Sequence, residues 1–297
     1  MKGETEKIPP MKKILLPTDF SNCSKVAVDY ALELFGKGVY PDDVNFTLLH
    51  VYSPGSAPIY PGSPYVHASP IHMRDIIRNA RNLLDKTCEE CRRRFPDQHI
   101  GEMLLEGGPV EGILDVEREV KADLIVMGTK GLGAVDRAVV GSVALGVFRS
   151  AHCPVLVVPE EAQFRRPEKI VFATDFRHLD DLRVLDPLSD LVDAFEPQFM
   201  LLHIYTEMDT SAEEKTRMNQ LLRDYFHARN YTHYFLKRHD PVAGVEEFVK
   251  GMDADLLALV GHEPNFFEKL FHKSLTKKMI IHSEVPVFVL NPLGVYR

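Results

Sequence analysis

Short apolar runs alternate along this chain with stretches whose apolar residues recur at helical spacing. The run from Lys12 to Leu16 predicts a buried strand that ends in Pro17-Thr18-Asp19. Behind it Ser21 or Ser24 can cap a helix carrying Ala27, Ala31 and Leu34 on one face. Asn45 to Val51 predicts a second strand, and Ser53 to Pro70, rich in Pro, Gly, Ser and Tyr, reads as a loop. A helix follows to about Arg94, its stripe formed by Met73, Ile76, Ile77, Ala80, Leu83 and Leu84. A third strand lies near Ile100 to Leu105, and Gly107-Gly108-Pro109 opens a helix with proline suited to its first turn. Ala122 to Val126 is a fourth strand, Val143, Ala144, Val147 and Phe148 return to helical spacing, and Val155 to Val158 is a fifth strand. Five strands alternating with four helices predict an α/β fold: a doubly wound parallel sheet, helices on both faces, ligands at the strands' carboxyl ends.

The pattern then repeats. KKILLPTDFS (Lys12 to Ser21) returns as EKIVFATDFR (Glu168 to Arg177), and FTLLHVY (Phe46 to Tyr52) as FMLLHIY (Phe199 to Tyr205). Ala122 to Gly128 returns as Ala254 to Gly261, one residue longer, and CPVLVV as VPVFVL, Val285 to Leu290. Four blocks in one order imply a tandem duplication, with domains at 1–160 and 161–297 and a charged, proline-bounded linker from Pro159 to Pro167. A chain of 297 residues is about the length of two domains.

One stretch carries chemistry. Between the fourth strand and its helix runs MGTKGLGAVDRAVVGSV, Met127 to Val143, with Gly128, Gly131 and Gly141-Ser142 at fixed spacing. Glycines let a ligand approach without meeting a Cβ, and the free N–H groups of a helix start attract anions. Ser142 can cap that helix or give its hydroxyl to a phosphate oxygen. Lys130 and Arg137 inside the excursion can reach phosphates or lie solvated. A Rossmann fingerprint would stand after the first strand, and no G-x4-G-K-[ST] occurs.

The spacing G-x2-G-x9-G-S resembles the ATP-binding motif of universal stress protein domains, and CPVLVVP (Cys153 to Pro159) also looks like that family. The resemblance covers nearly the whole chain and implies two tandem five-stranded sandwiches paired through their last strands, Val155 to Val158 against Val287 to Leu290, as an internal pseudo-dimer. It implies a site in the first half made of Pro17, Thr18, Asp19, Val51, Met127, Gly128, Lys130, Gly131, Gly141, Ser142 and Val143. Asp19 would meet base and ribose, with helix capping as its other reading. Val51 would offer backbone groups to adenine, and Pro17 and Thr18 would line the same wall.

The second half departs from this pattern. Asp175 remains, but Pro264 stands at the second glycine and Ser274 follows Gly261 by thirteen residues, which argues against a second ATP site. Lys269, His272, Lys273, Lys277 and Lys278 leave this region basic, open to another anion or simply solvated.

Composition adds exclusions. A net charge of −8 argues against a nucleic-acid surface. No apolar run approaches a membrane span, and MKGETEKIPPMKK reads as a polar tail, so a cytoplasmic protein is expected. Cys23, Cys88, Cys91 and Cys153 are too scattered for a disulfide scaffold, and the Cys88-x2-Cys91 pair continues the apolar stripe of its helix in preference to binding metal. His50 and His203 occupy equivalent positions; without a partner nucleophile or carboxylate beside them they read as structural in preference to general bases.

The resulting expectation is an ATP-binding (adenine-nucleotide-binding) stress-response protein that works by ligand-dependent regulation, with Mg2+ open as the nucleotide's companion and no catalytic or metal-ligating residues assigned. Two alternatives stay open: a slow ATP hydrolase or other nucleotide-dependent enzyme on the same sandwich, and an interaction or small-ligand scaffold working through the second half. The stress sensed, the nucleotide preferred, protein partners and any pairing of two chains are not legible.

Overall fold

The computed structural model describes residues 11–40, 43–53, 70–129, 141–174, 181–205, 216, 220–223, 225–226, 231–261 and 283–292. In the first half β1 (Lys13–Pro17), β2 (Asn45–Tyr52), β3 (His99–Glu106), β4 (Leu124–Gly128) and β5 (Val155–Val158) alternate with α1 (Asn22–Leu34), α2 (Pro70–Arg94), α3 (Pro109–Val120) and α4 (Ser142–Ser150). The second half gives β6 (Lys169–Ala173), α5 (Asp186–Phe195), β7 (Gln198–Tyr205), β8 (Tyr231–Lys237), α6 (Pro241–Met252), β9 (Leu256–Val260) and β10 (Val287–Leu290).

These strands form one ten-stranded sheet in the order β3-β2-β1-β4-β5-β10-β9-β6-β7-β8. Within β1–β5 and within β6–β10 every pair is parallel, and the two sets meet in one antiparallel pair, β5 with β10, where Val287 faces Val157 and Val289 faces Val155. The strands are apolar on both sides because both faces are covered. Ile14 and Leu16 join Ala27, Ala31, Leu84, Leu188 and Leu191, so α1, α2 and α5 pack on one face. Leu15 joins Ile113, Val116, Val147, Phe148, Val245 and Phe248, so α3, α4 and α6 pack on the other. Each cluster runs across both sets of strands.

Several element ends depend on side chains. Ser21, not Ser24, caps α1: its side chain accepts from the Ser24 N–H at 3.2 Å. Asp123 lies just before β4, where its Oδ2 accepts the N–H groups of Lys12 and Lys13, each at 2.9 Å. Asp255 does the same for Glu168 and Lys169 at 2.9 Å. Each carboxylate thus ties the entry of one parallel strand to that of its neighbour. The repeated Ala-Asp-Leu text marks a hydrogen-bonding device in addition to an apolar strand.

Cys88 and Cys91 are buried in the cluster beneath α2, and neither is in a disulfide. Burial pushes the Cys88 thiol from an ordinary 9.0 up to about 12 and that of Cys91 up to about 11. A raised folded pKa favours the neutral thiol, so the Cys88 contribution to stability is whole below about pH 9 and is lost as pH climbs towards about 12. At about pH 8 neither thiol of the folded protein should react with a water-soluble disulfide reagent, and both should react in denaturant. Rapid labelling without denaturant would contradict this packing.

Candidate functional site

The strand order reverses between β1 and β4: β2 and β3 lie on one side of β1, and β4 and β5 on the other. In open α/β sheets the carboxyl ends of strands leave a crevice at such a point. The turn from β1 into α1 borders it. Pro17 and Thr18 are buried and Asp19 is half-buried, with its Oδ1 accepting the Ser21 N–H at 3.1 Å. Thr18 Oγ1 accepts the Phe20 N–H at 3.0 Å and lies 3.0 Å from Ser24 Oγ.

Phe20 has φ 64°, in the left-handed region where a bulky side chain is strained. Lys121, Glu196 and Asp253, the other such non-glycine residues described, each cap a helix. Two contacts hold the turn. The Phe20 ring lies against the His50 ring at 4.4 Å between centroids, and His50 Nδ1 donates to the Thr18 carbonyl at 2.7 Å. A carbonyl only accepts, so Nδ1 carries the hydrogen. His203 repeats the bond to Thr174 at 2.8 Å. Both histidines therefore brace the turn after the first strand of their half, as the structural reading expected. Phe20 is repeated in the sequence as part of TDF, but its role depends on a backbone angle that the repeat does not reveal.

Val51 is placed by register. The N–H of Asn45 donates to Lys12 O and the carbonyl of Leu49 accepts from the Thr18 N–H, so the odd-numbered residues of β2 turn their backbone groups towards β1. The β1–β2 ladder closes at Pro17 opposite Leu49. Val51, two residues on, thus presents its backbone beyond the end of β1, into the crevice.

On the other side β4 ends in Met127, which is buried, and Gly128. A Cβ on Gly128 would stand 2.7 Å from Cys23 Sγ and 2.9 Å from the Cys23 carbonyl carbon and oxygen. Glycine there lets the first turn of α1 sit on the strand. Thr129 then donates its N–H to Val158 O at 3.2 Å and accepts the Gly141 N–H at 2.8 Å, which returns the chain to the crevice at the start of α4. Gly141 takes the N-cap position without a side-chain cap, and Ser142, exposed, is the first helical residue. The Ser142 hydroxyl is thus not the cap. The N–H groups of Ser142, Val143 and Ala144 belong to the first turn, which has no intrahelical acceptors. Pro17, Thr18, Asp19, Val51, Met127, Gly128, Gly141, Ser142 and Val143 are therefore gathered around one end of β1, β2 and β4. Lys130, Gly131 and Arg137 lie outside the described residues. Among the described residues no cluster of His, Cys, Asp or Glu could hold a metal ion.

The second half keeps the frame and alters the floor. The N–H groups of Ile125 and Leu257 bond to the carbonyls of Pro154 and Pro286, and those of Thr129 and Gly261 to the carbonyls of Val158 and Leu290. This register corrects the sequence alignment of Gly128 with Gly261. Gly261 is the counterpart of Thr129, and Val260 stands where the first half has Gly128. The apolar run before Gly261 is one residue longer because β9 continues through Val260, where β4 has Gly128. Asp175, Pro264, Lys269, His272, Lys273, Ser274, Lys277 and Lys278 lie outside the described residues.

The profile described as the universal stress protein family matches residues 10–159, half of the chain. A universal stress protein of Methanocaldococcus jannaschii is 31% identical over 147 residues, covering 50% of this chain and 81% of its own. One from Thermus aquaticus is 34% identical over 148 residues, covering 50% of this chain and 98% of its own. The chain belongs to the universal stress protein family. The family fold extends past the matched half: a universal stress protein from Archaeoglobus fulgidus superposes with TM-score 0.74 at 17% identity, covering 94% of this chain and 98% of that one. Among the described residues of this family member, no helix is long and apolar enough to cross a membrane.

Proposed function

We propose that this universal stress protein binds an adenine nucleotide, ATP foremost, in the crevice of its first half and acts through the change that binding makes in its shape or partners. The observation that carries the reading is the meeting, at the switch point, of three unlike recognition elements. The Asp19 carboxylate stands at the end of β1, the Val51 backbone extends past the end of the β1–β2 ladder, and α4 opens at Gly141-Ser142. Asp19 suits ribose hydroxyls or the adenine amine, Val51 the base edge, and the α4 start with Lys130, Gly131, Ser142 and Val143 the phosphates, with Mg2+ as their companion. Charge-assisted bonds contribute roughly 1.5–3 kcal/mol each. Three or four of them suffice for micromolar binding. Regulation is favoured over turnover because phosphoryl transfer needs an oriented acceptor and a held metal, and among the described residues gathered at the crevice one, Asp19, is a carboxylate.

The same reading treats the chain as two units, 1–160 and 161–297, arranged as an internal pseudo-dimer along β5 and β10. Val260 in place of Gly128 supports one nucleotide site per chain.

Calorimetric titration of ATP and AMP into stripped protein tests this, alongside a Gly131→Val, Ser142→Ala variant. One ATP per chain, with affinity at least about tenfold weaker in the variant, is expected from the loss of one or two charge-assisted bonds. Two ATP per chain would contradict the assignment of the second half. No binding by the folded protein would overturn the reading.

A further inference from the structure

The last strand ends at Leu290, and the next side chain reaches out of its own half. Asn291 Nδ2 donates to the carbonyl oxygen of Phe148 at 3.4 Å and also to that of Ala151. Phe148 lies in the final turn of α4, and Ala151 is the residue that ends it. The last carbonyls of a helix lack intrahelical donors, and a primary amide carries two hydrogens. One side chain therefore serves two terminal acceptors. The antiparallel register makes the reach short: Val289 faces Val155, so the end of β10 lies beside the start of β5, where α4 has just handed over to strand.

The bond runs one way. By the repeat of VLVV in VFVL, the counterpart of Asn291 after β5 is Pro159, whose side chain donates nothing. Pro159 therefore gives no side-chain bond in return.

We infer that Asn291 is a positioning residue, through which the second half keeps α4 ordered with its first turn ready for the nucleotide's phosphates; this rests on the nucleotide reading above. α4 has nine residues, with Leu145 N–H on Gly141 O at one end and Ala151 N–H on Val147 O at the other. A helix so short is not stable alone, so it orders as a unit from its packing and its two ends. If the last turn loosens, binding must supply the ordering free energy and the affinity falls. The second half, with its glycine pattern altered, thereby contributes to the site of the first.

The test uses the full chain and ATP. Asn291→Asp keeps the shape, removes both donors and places negative charge at the helix's negative end; Asn291→Gln keeps the amide. The dissociation constant is expected to rise about threefold to tenfold in the Asp variant and to stay within about twofold of the unaltered protein in the Gln variant. Each is measured well below the unfolding midpoint of that variant. Hydrogen exchange of the α4 amides should quicken in the Asp variant and slow again at saturating ATP. Unchanged affinity in the Asp variant, with ATP still bound by the unaltered protein, overturns the inference and leaves the nucleotide reading standing. Equal weakening in both variants points to packing and also overturns it. Absence of ATP binding by the unaltered protein removes the reading and the inference together.

Discussion

Gly128→Ala is expected to destabilise the protein by about 1–3 kcal/mol, the usual range for forcing a methyl group into a filled space, and to abolish nucleotide binding. The new Cβ would meet Cys23 at 2.7 Å from Sγ and 2.9 Å from two backbone atoms. A side chain can swing aside, whereas backbone moves only with its helix. The first turn of α1 would lift from β4, carrying the Ser21 cap and the Asp19 turn away from the start of α4. Denaturant unfolding measures the first effect and ATP titration the second. Adding Cys23→Ala should not restore binding, because the two backbone contacts remain. Full rescue by that second change would show the contact to be with sulfur alone.

Glu117→Ala should cost more, about 2–6 kcal/mol, because it takes the acceptor from two backbone N–H groups, at about 1–3 kcal/mol for each. Glu117 is fully buried in α3, and its Oε1 accepts the N–H groups of His152 at 2.9 Å and Cys153 at 3.0 Å. Its Oε2 lies 3.4 Å from His152 Nδ1. Without the carboxylate, two backbone donors between α4 and β5 lose their acceptor. Glu117→Gln keeps an oxygen for both and should cost about 1 kcal/mol. Chemical denaturation of the two variants checks the ordering, and equal losses would refute it. The second half shows that the fold permits another solution. Ala122 and Ala254 donate to the carbonyls of Glu117 and Val249 respectively, so Val249 occupies this position there.

Strands were the most legible part of the sequence, because parallel strands covered on both faces must be apolar throughout. The strand around Leu124 starts later than its apolar run suggests: Ala122 and Asp123 read as its first residues, yet the Asp123 side chain is occupied at the entry of β1. An aspartate's role as a clasp depends on a partner more than a hundred residues away, which periodicity does not carry. Gly128 and Gly141 border the crevice from the end of β4 and the start of α4, and Asp19 borders it from the end of β1. The one-residue offset between Val260 and Gly261 was hidden because apolar residues match one another whatever their register. Cys23, Glu117 and Asn291 share a reason for being illegible: each acts through a contact between distant elements, and none belongs to a short motif. Phe20 does repeat, in TDF, but it acts through a backbone angle that the repeat does not reveal. Gly112 and Gly244 are similar. Each lets a helix lie close to the sheet, against Val51 and Ile204 respectively, a likeness visible only once both contacts are seen.

The antiparallel seam has a consequence for inheritance. When two identical chains meet, one codon writes both sides of the boundary, so every change at the contact occurs twice and must suit both partners at once. Here Val155 to Val158 and Val287 to Leu290 are written separately, and a change on one side leaves the other as it was. That independence permits Asn291 on one side and Pro159 on the other, Val260 opposed to Gly128, and Val249 opposed to Glu117. Mutations can thus accumulate in one half while the other is held constant. Because both halves belong to one chain, they stay together however dilute the protein becomes.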